Sequence, residues 1–153
     1  MNQEEKSLLL QDLCARLPHG IVVHYNGLAR PLFGIEPTQH FQITLDNALD
    51  GEHNGLVYVS LDVDGEEPKP YLRPMSSMTE EEKRYIHNKF GATEHGSIET
   101  YCFESFEGGH SEVHMVDMAG FIDWLNKHHF DYRGLIPMGL AIEVTEDNNP
   151  YKE

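Results

Sequence analysis

The run Leu-Val-Tyr-Val-Ser-Leu-Asp-Val at 56–63 restricts the fold of this chain more than any other stretch. Val57, Val59, Leu61 and Val63 fall on one side of an extended chain. Leu56, Tyr58, Ser60 and Asp62 fall on the other, which turns progressively polar. A strand with one apolar and one wetted side belongs to a sheet covered on a single face, and such sheets are built from antiparallel strands. Companion strands are predicted at 20–25, ending at the turn-forming pair Asn26-Gly27, and at 41–45, where Phe41, Ile43 and Leu45 alternate. The Asp-Gly-Glu-Glu-Pro segment then turns the chain. The segment 69–74 is expected to return beside 56–63, with Pro70 and Pro74 marking an edge or a strand end.

Three helices are expected around these strands. In the first, at 4–18, Leu9, Leu10, Leu13, Cys14 and Leu17 recur at the helical period, Asn2 with Glu5 makes a capping pair, and Pro18 stops the helix. The second, within 76–91, has Thr79 and Glu82 as a capping box and Gly91 as a left-handed C-cap. The third starts at Asp117, with Val116 and Phe121 placed as a hydrophobic staple and Met118, Phe121, Ile122 and Leu125 facing inward. Between the second and third, 97–118 reads as a hairpin turning at Gly108-Gly109, and 131–144 holds a turn and a final short strand. The order predicts one compact α+β domain over 1–145, a largely antiparallel sheet packed against about three helices, with 146–153 a frayed tail.

Charge bounds the function. Twenty-six acids against eleven Lys and Arg give a formal −15. Residues 31–68 hold eight carboxylates (Glu36, Asp46, Asp50, Glu52, Asp62, Asp64, Glu66, Glu67) and no Lys or Arg. Residues 91–126 hold seven (Glu94, Glu99, Glu104, Glu107, Glu112, Asp117, Asp123), again with no Lys or Arg. Such a surface repels phosphate backbones, which argues against direct nucleic-acid binding, and attracts a basic partner such as a host or phage protein. If both tracts joined in one surface spaced like phosphates, the chain would mimic nucleic acid. Solubility alone also explains an acidic surface. The apolar runs are far shorter than the ~20 residues a membrane span needs, and the acidic N-terminus does not read as a secretory signal. Cys14 and Cys102 form no disulfide framework and no paired-cysteine motif, which fits reduced, partly buried thiols in the cytoplasm.

Candidate chemistry is sparse. His110 and His114 flank Glu112, but a zinc-protease helix needs its glutamate directly after the first histidine, and the glycines before this run favour a hairpin. Two histidines four apart on a strand are separated by ~13 Å, too far to share one zinc. His128, His129, Asp131, Tyr132 and Arg133 gather at a helix C-terminus, where histidine caps and packs. The same residue types make a two-histidine, one-carboxylate metal site, with His114 as a further neighbour, so a small metal-assisted hydrolase is the alternative reading. Gly65 falls out of register for a calcium loop counted from Asp62, and the loop counted from Asp46, with Asp50 and Gly51 in register, has Ala48 and Val57 at its third and twelfth positions, where ligands are needed. No P-loop, dinucleotide-binding glycine pattern or nucleophile elbow occurs. Glu94 and His95 are acid–base capable but sit in an ordinary loop composition. Arg73, Ser76 and Ser77 precede a helix N-terminus that would receive an anion or cap itself. No catalytic, cofactor-binding or metal-ligating residue is therefore assigned. The favoured expectation is a small non-enzymatic accessory or protein-binding module.

The segments 69–86 and 121–143 resemble parts of an uncharacterised family of small proteins from gut Bacteroidales and their phages and mobile elements, and 13–23 is similar to its N-terminal region. The resemblance implies a bacterial or phage cytoplasmic setting. It carries no activity onto Arg73, His129, Asp131 or Arg133.

Overall fold

Asn26 and Gly27 both adopt positive φ, 51° and 75°, and this turn joins the first two strands of the main sheet. Its twist matches that of the strands it connects, so β1 (Val22–Tyr25) and β2 (Leu28–Glu36) pair antiparallel from Tyr25–Leu28 to Val22–Pro31. The computed structural model describes residues 1–36, 42–46, 55–61, 66–91, 105–107, 110–112 and 117–152. Contacts divide the chain into two compact units, one of Met1–Arg73 with Arg133–Glu153, the other of Pro74–Tyr132.

In the first unit, six strands run in the order β4-β3-β2-β1-β5-β8, adding β3 (Gln42–Asp46), β4 (Leu56–Ser60), β5 (Lys69–Leu72) and β8 (Ile142–Glu143). The pairings are antiparallel except that of β5 with β8, so the α+β class with a largely antiparallel sheet stands. Strand β2 was not anticipated, because Pro31 and Gly34 interrupt its pattern. The chain tolerates Pro31 by a hand-over. Residues 28–31 pair with β1, 32–36 pair with β3, and proline's missing N–H falls where the second ladder has not begun. Strand β5 divides in the same way, 69–70 to β1 and 71–72 to β8. It therefore does not return beside 56–63 as expected. A bare strand of four residues carries no register information of its own, and its partner is set by the rest of the sheet.

Helix α1 (Gln3–Arg16) has the expected capping box, with Asn2 Oδ1 accepting from Glu5 N–H at 2.9 Å and Glu5 Oε2 accepting from Asn2 N–H at 2.6 Å. Leu9, Leu10 and Leu13 are buried among Ile21, Val23, Ile43, Leu45 and Leu72 of the sheet region. Cys14, expected in that stripe, is an exposed free thiol, and Asp12 and Arg16 are buried instead. Counting about 100° per residue, Arg16 falls within about 20° of Leu9 and Cys14 about 140° away. Arg16 enters the core because Asp12, one turn earlier, takes its Nε and Nη2 at 2.8 and 2.9 Å.

The C-terminal segment is tied down rather than frayed. Tyr151 Oη accepts from Val22 N–H at 3.2 Å and donates to the Tyr71 carbonyl at 2.8 Å. Asn148 bridges Thr145 N–H and the Glu143 carbonyl. Burial pushes the Tyr151 phenol well above its ordinary value, and Arg16 offsets this only in part. Above about pH 10 the unfolded phenol ionises while the folded one stays neutral, so stability is full below that pH and declines as pH rises beyond it. Tyr151→Phe is expected to remove part of that alkaline decline, measured as urea midpoints from pH 8 to pH 11. An unchanged slope would place the titration elsewhere, Tyr71 being shifted in the same direction by its own burial.

In the second unit, a 3-10 turn at Met75–Ser77 leads to α2 (Glu80–Phe90), capped by Thr79 and Glu82 as expected and ended by Gly91 at φ 69°. β6 (Ser105–Glu107) and β7 (His110–Glu112) pair antiparallel on either side of Gly108-Gly109. α3 (Met118–Lys127) is capped by Asp117, whose carboxylate accepts from Gly120 N–H at 2.8 Å. Its inner face holds Phe121 and Leu125, packed with Met78, Ile86, Phe90 and Phe130, while Ile122 is partly buried. Met118 is exposed, contrary to expectation, because it occupies the first helical position beside the cap. Among the described residues, no helix is long and apolar enough to cross a membrane.

Candidate functional site

The described residues of the tract without Lys or Arg, 31–68, belong to the first unit. The tract runs from Pro31 through the rest of β2, β3 and β4, which are three consecutive strands at one end of the sheet. Arg30, the last cation before it, is buried. Glu36 is exposed at the end of β2 and Asp46 half-buried at the end of β3. Glu67 is paired with the Met1 amino group at 2.7 Å, and Glu66 lies 3.4 Å from His24 Nδ1. Asp50, Glu52, Asp62 and Asp64 lie outside the described residues. The second tract, 91–126, falls in the other unit, where Asp117 and Asp123 are exposed.

Three large apolar side chains stand exposed at this end of the sheet: Phe33 at 68%, Tyr58 at 55% and Leu56 at 43%. Their positions follow from pairing. Val59 is buried and Val57 partly so, which leaves Leu56 and Tyr58 on the opposite, outer side of β4. Phe33 sits where the β2–β3 register shifts between Leu32 and Gly34. A bulge of this kind adds an unpaired residue and re-aims its side chain, and here the residue re-aimed is an aromatic one.

The histidine cluster is a helix stop. His128 Nδ1 lies 2.8 Å from the Trp124 carbonyl, and its ring stacks on the Trp124 indole with centroids 4.1 Å apart. His129 takes a left-handed φ of 58° and is buried. Its N–H bonds the Asn126 carbonyl at 3.1 Å, and Phe130 N–H bonds the Leu125 carbonyl at 3.0 Å. These paired bonds are those of a left-handed helix C-cap, in which the residue after the cap is usually glycine and the next one packs back onto the helix. Phe130 does so, inside the cluster that holds Leu125. Tyr132 Oη donates to Asn126 Oδ1 at 3.0 Å, and Asp131 is buried.

The metal arrangement of the alternative reading is not seen among the described residues. Among the described residues, no group of three or more His, Cys, Asp or Glu side chains is placed to hold a metal ion. If His129 serves backbone geometry, then His129→Val, a β-branched residue in a left-handed conformation, is expected to be at least about 1–2 kcal/mol less stable than His129→Gly. Urea denaturation of the two variants measures this, and equal stabilities would count against the cap reading.

His110 belongs to strand β7, so the His-Ser-Glu-Val-His run is not a zinc-protease helix, while His114 lies outside the described residues. So do Cys102, Glu94, His95, Phe41, Val63, Val116, the glycine pair 108–109 and the glycine loops at 51 and 65. Ser77 Oγ donates to the Pro74 carbonyl at 2.8 Å and Thr79 caps α2, so these hydroxyls serve the local backbone. A groove of about 480 Å³ in the second unit is lined by Glu81, Glu82, Tyr85, Trp124, Lys127 and His128. A cleft of about 500 Å³ along α1 is lined, among the described residues, by Cys14 and Arg133 but by no histidine or carboxylate. Comparison with known proteins gives no match to a family model, a curated protein or a solved structure.

Proposed function

We propose that this chain is a non-enzymatic protein-binding module that takes a basic partner on the β2–β3–β4 end of its main sheet. One observation carries the reading: exposed Phe33, Tyr58 and Leu56 lie on the stretch of the chain that has eight carboxylates and no Lys or Arg. Exposed aromatic residues supply contact area at small entropic cost, and the net negative charge of the chain selects and steers a cationic surface. We place its action in the cytoplasm, which the free Cys14 thiol fits, and in the bacterial or phage setting implied by the resemblance of 69–86 and 121–143.

Affinity capture from a bacterial lysate tests this at low and at high salt. A stoichiometric basic partner is expected at low salt and is lost as salt screens the field. The double variant Phe33→Ser/Tyr58→Ser, shown by circular dichroism to keep its fold, is expected to lose that partner as well. Capture that ignores both salt and the double variant would refute the reading. Release of the partner by added duplex DNA would identify the acidic surface as a nucleic-acid mimic.

A further inference from the structure

The two edges of the main sheet are built differently. At one edge β8 is only two residues long, Ile142–Glu143, and very short edge strands are a common protection against unwanted pairing. At the other edge β4 runs five residues, Leu56–Ser60, in unbroken register with β3 from Asp46–Leu56 to Gln42–Ser60. It has no proline, no lysine and no bulge, the other devices that blunt an edge. Among the described residues β4 pairs with β3 alone, so its outer row of backbone N–H and C=O groups faces away from the sheet.

We propose that β4 is a strand-addition site, and that its occupant is an extended basic segment of a partner protein whose residues alternate between apolar and cationic. This rests on the basic-partner reading and specifies how the partner binds. A strand added beside β4 continues both faces of the sheet. On the inner face its side chains meet Val57 and Val59, which calls for apolar residues there. On the outer face they meet Leu56 and Tyr58, with Asp46 opposite Leu56 in the ladder, on a stretch of chain that has no Lys or Arg. Lysine and arginine suit those positions, because their aliphatic stems cover apolar surface while the charge lies over an aromatic ring or near a carboxylate. Charge also argues against a second copy of this chain, since self-pairing at β4 would bring together two molecules of formal charge −15.

The probe is an end-blocked eight-residue peptide of alternating Lys and Val. Its binding is followed by anisotropy and by amide hydrogen exchange of the full chain. Those amides of 56–60 that point away from β3 are expected to exchange at least about tenfold more slowly with saturating peptide, while those of the central strand β1 keep their rates. A Glu–Val peptide, and a Lys–Val peptide N-methylated at alternate residues, are expected to give no slowing. Binding without slowing at 56–60, or equal slowing by the N-methylated peptide, overturns strand addition in favour of docking on the face and leaves the basic-partner reading intact. Failure of the Lys–Val peptide to bind overturns strand addition, with the lysate capture deciding the broader reading separately. Protection of 56–60 in the free protein that disappears on dilution overturns it in favour of self-pairing.

Discussion

Asp12→Ala is expected to destabilise the first unit by about 3–5 kcal/mol, the usual loss when one member of a buried ion pair is removed. Arg16 and Asp12 both have fully buried side chains. The guanidinium gives Nε and Nη2 to the two carboxylate oxygens, and Arg133 Nε approaches Asp12 Oδ1 at 3.5 Å from a more exposed position. Truncating the carboxylate leaves a guanidinium among leucines with its main acceptor gone. The energy at stake is the cost of an orphaned charge rather than the net worth of the pair. The double variant Asp12→Leu/Arg16→Met is therefore expected to return to within about 1–2 kcal/mol of the parent, or to exceed it. Urea denaturation followed by circular dichroism measures both. A double variant as unstable as the single one would mean that the pair shapes the fold in a way apolar residues cannot replace.

Phe130→Ala is expected to cost about 3–5 kcal/mol in the second unit. Phe130 is fully buried, packs with Phe121 and Leu125, and stacks on Trp124 at a centroid distance of 5.7 Å. It is also the residue that folds back onto α3 after the left-handed turn, so its removal takes both a core side chain and the apolar contact that closes the cap. Trp124 is the single tryptophan of the chain, and its emission reports on this unit. A red shift of that emission at a lower urea concentration than in the parent is expected. An unchanged midpoint would mean that the surrounding side chains close the cavity without loss.

Features set by neighbouring residues were legible in the sequence. The Asn26-Gly27 turn, the capping boxes Asn2/Glu5 and Thr79/Glu82, the left-handed Gly91 and the two-sided character of β4 each depend on a few adjacent side chains. Features set across the sheet were not. β2 was hidden because Pro31 is forbidden only where a ladder needs its N–H, and where a ladder begins is a property of the neighbouring strands. The burial of Arg16 was not anticipated, although its spacing from Asp12 was a readable signal. Capping and packing by His128 and His129 was legible from their place at a helix end, but the left-handed backbone of His129 was not, since that position normally signals itself with glycine or asparagine. The cation-free tract was legible as composition. It became a location only because β2, β3 and β4 are adjacent both in sequence and in space.

The hand-over in β2 gives the main sheet a seam. The ladder to β1 ends at Pro31 and the ladder to β3 begins at Leu32, whose own N–H still reaches back to the Ile21 carbonyl at 2.9 Å. Among the described residues, the backbone ladder that joins β3 and β4 to the rest of the sheet passes through residues 32–36 of β2, with a register shift inside that short stretch. Side chains bridge what the backbone ladder does not, since Ile43, Leu45 and Val59 lie in the same core as Leu9, Leu13 and Val23, so the seam runs through the hydrogen bonds and not through the packing.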